Sequence, residues 1–327
     1  MTDIRIGHLS TAYHTAIVMI GSKSLEDVGI DPHWKLFGTG PSIIQGIKEG
    51  DLDIGYIGLP PTIIGIANGG AMKCVAGGHE EGTVFIARSK YKSAAEAGSI
   101  CNALQQFKGK TIGSPARGSI HDVILRYFLS REGVDKYVDI INFPWTDFVG
   151  QAMEDGSIEA AVGTPSLQVS LEYISGVLIK SIVPPADLWP HNPSYGIIAS
   201  TNFIEKQPDL LMAFLKAHKN AIGLIKEKPN EAAKISSEVM AVVDPGFFIE
   251  CYKVSPRYCC ALTEDYVNST MRFVEILKEH GYINRNVIAN EIFDTSLIEK
   301  IHPEPHHYDH SPHFANHNMD QSSSGAP

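Results

Sequence analysis

The sequence predicts an α/β protein of two similar lobes joined by a two-strand hinge, and three observations carry that prediction. First, the chain repeats itself. Ile6-Gly7, His14, Gln45, Glu49-Gly50-Asp51-Leu52-Asp53 and Gly58-Leu59-Pro60 recur as Ile112-Gly113, His121, Gln151, Asp155-Gly156-Ser157-Ile158-Glu159 and Gly163-Thr164-Pro165. The offset is about 105 residues, close to the size of a small domain. Second, strand patterns alternate with helical ones at short spacing, which implies parallel βαβ units. Third, 327 residues are enough for two hydrophobic cores, since a single core tends to stop growing beyond about 250 to 300 residues.

The elements follow in order. Asp3 to Leu9 alternates as a strand, and Thr15 to Leu25 carries apolar residues at helical spacing. Trp34 to Phe37 is a second strand, Pro41 to Glu49 a helix with proline in its first turn, and Asp53 to Ile57 a buried strand. Pro61 to Asn68 is a third helix, stopped at Gly69-Gly70. The second copy gives strands at Lys110 to Gly113, Asp139 to Asn142 and Ala160 to Val162, with helices at Ser119 to Ser130 and Phe148 to Asp155. The acidic-Gly-x-aliphatic-acidic pieces fall where a helix ends and a buried strand begins, so they are structural.

Two apolar strands, Thr83 to Ala87 and Tyr195 to Ala199, bracket the second copy and supply the hinge crossings. Residues 1–88 and 195–302 then form a discontinuous lobe 1, and residues 89–194 form lobe 2. Amphipathic helices at Pro208 to Lys226, Asn230 to Ala241 and Glu264 to His280 are expected to pack on lobe 1. Residues 303–327 form a His-rich tail with no apolar period, expected to be disordered.

Composition narrows the function. A formal charge of −10 with no basic stripe argues against nucleic acid and against an anionic membrane surface. No apolar run reaches the roughly 18 residues of a spanning helix. The N-terminus enters a strand at once, with no signal-peptide pattern. The expected location is therefore periplasmic or cell-surface if a signal peptide has been removed, and cytoplasmic otherwise. The 5 cysteines do not form a disulfide framework. The adjacent Cys259-Cys260 pair is more consistent with buried small side chains than with metal or redox chemistry.

In open parallel sheets, ligands lie beyond the carboxyl ends of the strands, where the next helices begin. That rule selects Ser10, Thr11, Tyr13 and His14; Gly38, Thr39 and Gly40; and Gly58, Leu59 and Pro60 from the first copy. From the second it selects Ser114, Arg117, Gly118, Ser119 and His121, then Trp145, then Thr164 and Pro165. Glycine, serine and threonine let backbone N–H groups and hydroxyls approach a small polar ligand, or simply form tight turns. Arg117 is the fixed cation of the set, suited to an anionic head, and Tyr13 and Trp145 offer flat apolar surface. His14 and His121 open equivalent helices and are the acid–base candidates of the cleft. Asp122 is placed to hold His121 in a structural pair.

Three stretches carry a family resemblance: Gly38-Thr39-Gly40-Pro41 to Gly55, Lys108-Gly109-Lys110-Thr111-Ile112-Gly113, and Gly118-Ser119-Ile120-His121-Asp122-Val123-Ile124-Leu125. Together they resemble the solute-binding proteins for nitrate, sulfonates, taurine and thiamine-pyrimidine precursors, over about residues 3 to 285. The resemblance implies a type II periplasmic-binding-protein fold that closes on a small polar or anionic organic solute and delivers it to an ABC permease. The protein is expected to be a monomer with a small-molecule ligand, no cofactor, no nucleic-acid partner and no catalysis. The alternative is a cytoplasmic enzyme or ligand sensor on the same fold, related to the thiamine-pyrimidine synthase of that family. That enzyme uses a lysine and a histidine after its third strand and a cysteine-rich motif further on. Ile54-Gly55-Tyr56-Ile57-Gly58-Leu59-Pro60-Pro61-Thr62-Ile63 carries neither residue, and Asn192-Pro193-Ser194-Tyr195-Gly196 carries no cysteine cluster.

The tail holds His302, His306, His307, His310, His313 and His317. Within it His306, His307 and His310 are the weak metal candidates, since imidazole suits zinc, nickel and cobalt.

Overall fold

The two copies of the repeat fold into two copies of one unit, in a computed structural model that describes residues 2–313. The first unit runs β1 (Thr2–His8), α1 (Thr15–Ser22), β2 (Ile30–Leu36), α2 (Gly40–Glu49), β3 (Ile54–Ile57), α3 (Leu59–Ala67) and β4 (Met72–Glu80). β5 (Val84–Arg88), α4 (Ala94–Ala97) and α5 (Ile100–Gln105) lead to the second. There β6 (Thr111–Pro115), α6 (Ile120–Arg131), β7 (Asp139–Phe143), α7 (Thr146–Asp155), β8 (Ala160–Gly163), α8 (Pro165–Val169) and β9 (Ile179–Val183) repeat the scheme. The chain returns through α9 (Pro185–Leu188) to β10 (Pro193–Ser200).

The sheet orders are β2-β1-β3-β10-β4 and β7-β6-β8-β5-β9. They correspond strand for strand, and in both the first three strands of the unit are parallel. Each sheet also takes one antiparallel strand from across the duplication. β10 pairs with β3 and β4, and β5 pairs with β8 and β9. The two apolar hinge strands thus end inside opposite sheets, and the chain crosses between sheets just beside them, at Glu81–Thr83 and again between β9 and β10. Being buried on both faces, they are apolar throughout rather than alternating.

The repeated acidic-glycine motif ends α2 and α7 as anticipated. Gly50 and Gly156 cap these helices at φ +78° and +81°, a left-handed conformation that favours glycine. The aliphatic residue two positions on, Leu52 or Ile158, then packs against the glycine of the equivalent strand. A Cβ on Gly7 would lie 2.7 Å from Leu52, and one on Gly113 would lie 2.4 Å from Ile158.

The expectation named neither β4 nor β9 nor the short helices α4, α5, α8 and α9, and two further differences have a clear cause. β2 begins four residues earlier than Trp34, at Ile30, because it is an edge strand, where Pro32 and half-exposed polar residues are tolerated. A further helix follows α10 (Thr201–Lys206), α11 (Pro208–Glu227) and α12 (Pro229–Val239): α13 (Pro245–Val254), started by an Asp244 cap on the Phe247 N–H and by Pro245. α12 packs on α1 and α11, while α14 (Glu264–Glu279) packs on α3 and reaches α6 of the other unit. Ile43 and Ile63 of the first unit and Ile124 and Phe128 of the second consequently share one contiguous apolar core.

The segment after Pro303, expected to lack order, is laid against lobe 1 as far as His313. Tyr308 is the anchor: its ring is buried and its hydroxyl donates to the Ala261 carbonyl at 2.9 Å. A lone aromatic without a repeating partner gives no periodic signal. His317 and the rest of the chain lie outside the described residues. No helix among the described residues is long and apolar enough to cross a membrane.

Candidate functional site

Because both sheets carry their parallel strands in the same order, the helices that follow those strands begin at corresponding edges. α1, α2 and α3 start at His14, Thr39 and Gly58; α6, α7 and α8 start at Ser119, Trp145 and Thr164. Between them lies a small cavity of about 40 Å³. One ordered water needs on the order of 10–15 Å³ on such a measure, so the space suits a group of about three or four heavy atoms.

The structure brings Thr11, Tyr13, His14, Gly38, Thr39, Gly40, Gly58, Ser119, His121 and Thr164 together around this cavity. The remaining sequence candidates lie elsewhere. Leu59, Pro60 and Pro165 are buried in the first turns of α3 and α8, and Ser114 is buried at the end of β6. Ser10 borders an adjoining chamber of about 390 Å³, which shares Thr11, Thr146 and Thr164 with the cavity and is lined further out by Asp147, Gln151 and Glu154. Trp145 is 37% exposed and lies over Gly38 from the other unit; a Cβ on Gly38 would meet its indole at 2.6 Å.

Arg117 and Gly118 face a separate groove beside Ile44 and Tyr282, with the Arg117 guanidinium 5.2 Å from the Tyr282 ring centre. They leave the cavity because Gly118 turns the chain at φ +80° before α6 begins. Among the described residues, no lysine or arginine lines the cavity. The polar groups on offer there are converging helix N-termini, each equivalent to about half a unit positive charge. Prolines in the first turns of α2, α3 and α8 remove some of the N–H donors there.

Both candidate histidines are neutral. Burial, with His79, His8, His121 and His218 nearby, pushes His14 well below the usual imidazole range; burial alone lowers His121 to about 4. The Thr83 hydroxyl accepts from Asn192 Nδ2 at 3.0 Å and is hydrogen-bonded to His121 Nδ1, 3.1 Å away. Asp122 does not hold His121. It accepts from Arg126, Asn142, the Gly118 N–H and, at 2.6 Å, from Tyr282 just beyond α14, because a residue one step along the helix points to another face. His14 packs against Tyr195 with ring centres 4.2 Å apart, and its buried Nδ1 has no partner within the protein.

The loops selected from the sequence missed Leu9, Pro61, Ile120 and Ser194 among the lining residues. Ile120 opens α6, so the helix-start rule applied one residue further would have found it. Ser194 arrives only because β10 returns to the first sheet, and nothing local signals that. Of His306, His307 and His310, the first packs beside Tyr308 and the last beside His307, and the three do not form one ligand cluster.

The family model described as NMT1-like family matches residues 1–241. The chain belongs to the NMT1-like family. This NMT1-like chain is 26% identical over 249 residues to a protein named only as a binding protein in Brucella abortus (strain 2308), covering 73% of this chain and 72% of that one. It is 24% identical over 282 residues to a protein of Bacillus subtilis (strain 168) named as aliphatic sulfonates-binding, covering 85% and 80%. Its fold superposes on the alkanesulfonate-binding protein SsuA from Xanthomonas axonopodis pv. citri bound to MOPS with a TM-score of 0.76 at 14% identity, over 90% of this chain and 98% of that one. The NMT1-like chain thus has the type II periplasmic-binding-protein fold, two like lobes linked by a double crossing.

Proposed function

We propose that the protein is the solute-binding receptor of an ABC importer, acting outside the cytoplasmic membrane, and that it captures a small sulfonate-type solute between its lobes. The observation that carries this reading is the small cavity itself. It is walled by helix starts from both units and, among the described residues, is lined by no lysine or arginine but by the neutral His14 and His121 rings. Helix N-termini favour a compact anionic head without the strength of an ion pair, so release to a permease stays feasible.

The outer chamber refines the ligand. Asp147 and Glu154 there disfavour a second negative charge and favour a neutral or ammonium tail, as in taurine. The names of the sulfonate-binding relatives agree with this class. Enzymatic acid–base catalysis has little support, because His14 and His121 both lie well below neutral in proton affinity and are committed to the neutral form.

Isothermal titration with taurine, ethanesulfonate, nitrate and ethylamine tests the proposal. One-to-one binding of a sulfonate, tighter than nitrate and with no response to ethylamine, is expected. Binding of none of the anions would contradict it.

A further inference from the structure

A second cluster of chemistry-bearing side chains lies on lobe 1, around a cavity of about 880 Å³ that shares no lining residue with the interlobe site. Cys259 is held there by the main chain on either side: Tyr258 bridges to His79 of β4, and the Cys260 carbonyl accepts from the Gly77 N–H at 2.9 Å. His302 follows the short helix Ile298–Ile301. His307 is fixed by the described end of the chain, where Lys226 Nζ donates to the His307 carbonyl at 2.7 Å and the His313 N–H donates to the Lys226 carbonyl at 2.7 Å. Two separate parts of the sequence thus deliver one sulfur and two imidazole nitrogens to one place.

Their spacing is that of a coordination face. Cys259 Sγ is 3.4 Å from His302 Nε2 and 4.0 Å from His307 Nδ1, and the two nitrogens are 3.3 Å apart. A tetrahedral zinc ion, with bonds of about 2.3 Å to sulfur and about 2.05 Å to nitrogen, separates S and N by about 3.6 Å and two nitrogens by about 3.3 Å. Backbone N–H groups of Ala261 at 3.5 Å and His307 at 3.3 Å also donate to Cys259 Sγ, the support a thiolate ligand needs. We propose that Cys259, His302 and His307 form a site for one zinc-class divalent ion that pins the C-terminal segment to lobe 1. Glu304 is the nearest carboxylate for the fourth position: its Oε1 is 4.0 Å from His302 Nε2 and is otherwise paired with Lys219. The thiol proton leaves to solvent on binding, and no redox step is involved.

The test uses the full chain, stripped of metal with a chelator and kept reduced. Zinc titration is expected to give one tight equivalent. Cobalt is expected to show a thiolate-to-metal charge-transfer band in the near ultraviolet and intense visible d–d bands. Cys259→Ser and His302→Gln should each remove the charge-transfer band or the intense visible bands and weaken zinc by more than about tenfold. Cys260→Ser and the triple change His306→Gln, His310→Gln, His313→Gln should keep both signals. Circular dichroism melts of the metal-free variants, matched to the unaltered chain, separate ligand loss from misfolding, and His302→Gln stands as the second arm if Cys259→Ser melts early. Weak octahedral-type cobalt spectra, or zinc uptake unchanged in Cys259→Ser and His302→Gln, or uptake lost in the triple variant, would overturn the site.

Discussion

His121 concentrates the residue-scale account. Its Nδ1 is hydrogen-bonded to Thr83 and its ring lines the cavity, so His121→Ala should weaken sulfonate binding by about 1–2 kcal/mol in calorimetric titration. An unchanged affinity would remove His121 from the site. Four buried neutral histidines also make stability depend on pH. Burial lowers His79 to about 3 and His121 and His218 to about 4, and it places His14 well below its ordinary value. In the unfolded chain each would titrate near 6.5. Between about pH 6.5 and about 4 the unfolded chain therefore binds more protons, so stability is full above 6.5 and is lost as pH falls through that window. Each histidine contributes up to about 1.4 kcal/mol per pH unit there. Differential scanning calorimetry should show the melting temperature falling steeply below about pH 6.5, and a flat profile down to pH 4 would contradict neutral burial.

Helix starts were legible in the sequence and long-range strand pairing was not. Gly-Thr-Gly-Pro before α2 and Gly-Ser before α6 announce capped helices, and Thr39 and Ser119 do accept from the N–H three residues on. Ser119→Ala should accordingly cost about 1 kcal/mol in urea unfolding, in addition to any effect on the ligand. The directions of the side chains around those starts were harder to read. Arg117 stood in the right loop, yet the glycine after it turns its side chain into the outer groove, a consequence of backbone dihedral rather than composition. Across the cavity, Gly38 is where the second unit's Trp145 comes closest. Gly38→Ala should hold the lobes apart, raise the radius of gyration in small-angle scattering and weaken the ligand, and Trp145→Ala in the same chain should restore both. Equal scattering from the single variant and the unaltered protein would refute that contact.

At the scale of the whole molecule, the duplication made the architecture readable while its exchange of strands stayed hidden. Corresponding strands and helices recur at matched positions because each lobe solves the same packing problem, with Leu52 and Ile158 filling the space over Gly7 and Gly113. The swap of β5 and β10 between sheets leaves no local trace, since any doubly buried strand is uniformly apolar. That swap brings Ser194 into the cavity lining and Tyr195 against the His14 ring, and it runs the first crossing through Thr83, which is hydrogen-bonded to His121. Hinge and candidate site are thereby joined by hydrogen bonds, and Tyr282, just beyond α14, donates to Asp122 of the second unit as a polar latch. A crystal structure of the protein grown with taurine tests the central claim most directly. The account predicts the sulfonate in the interlobe cavity, against the first turns of α2 and α6 and the His14 and His121 rings, with the amine toward Asp147 and Glu154. Taurine bound elsewhere, or an interlobe cavity holding only water at saturating taurine, would contradict it.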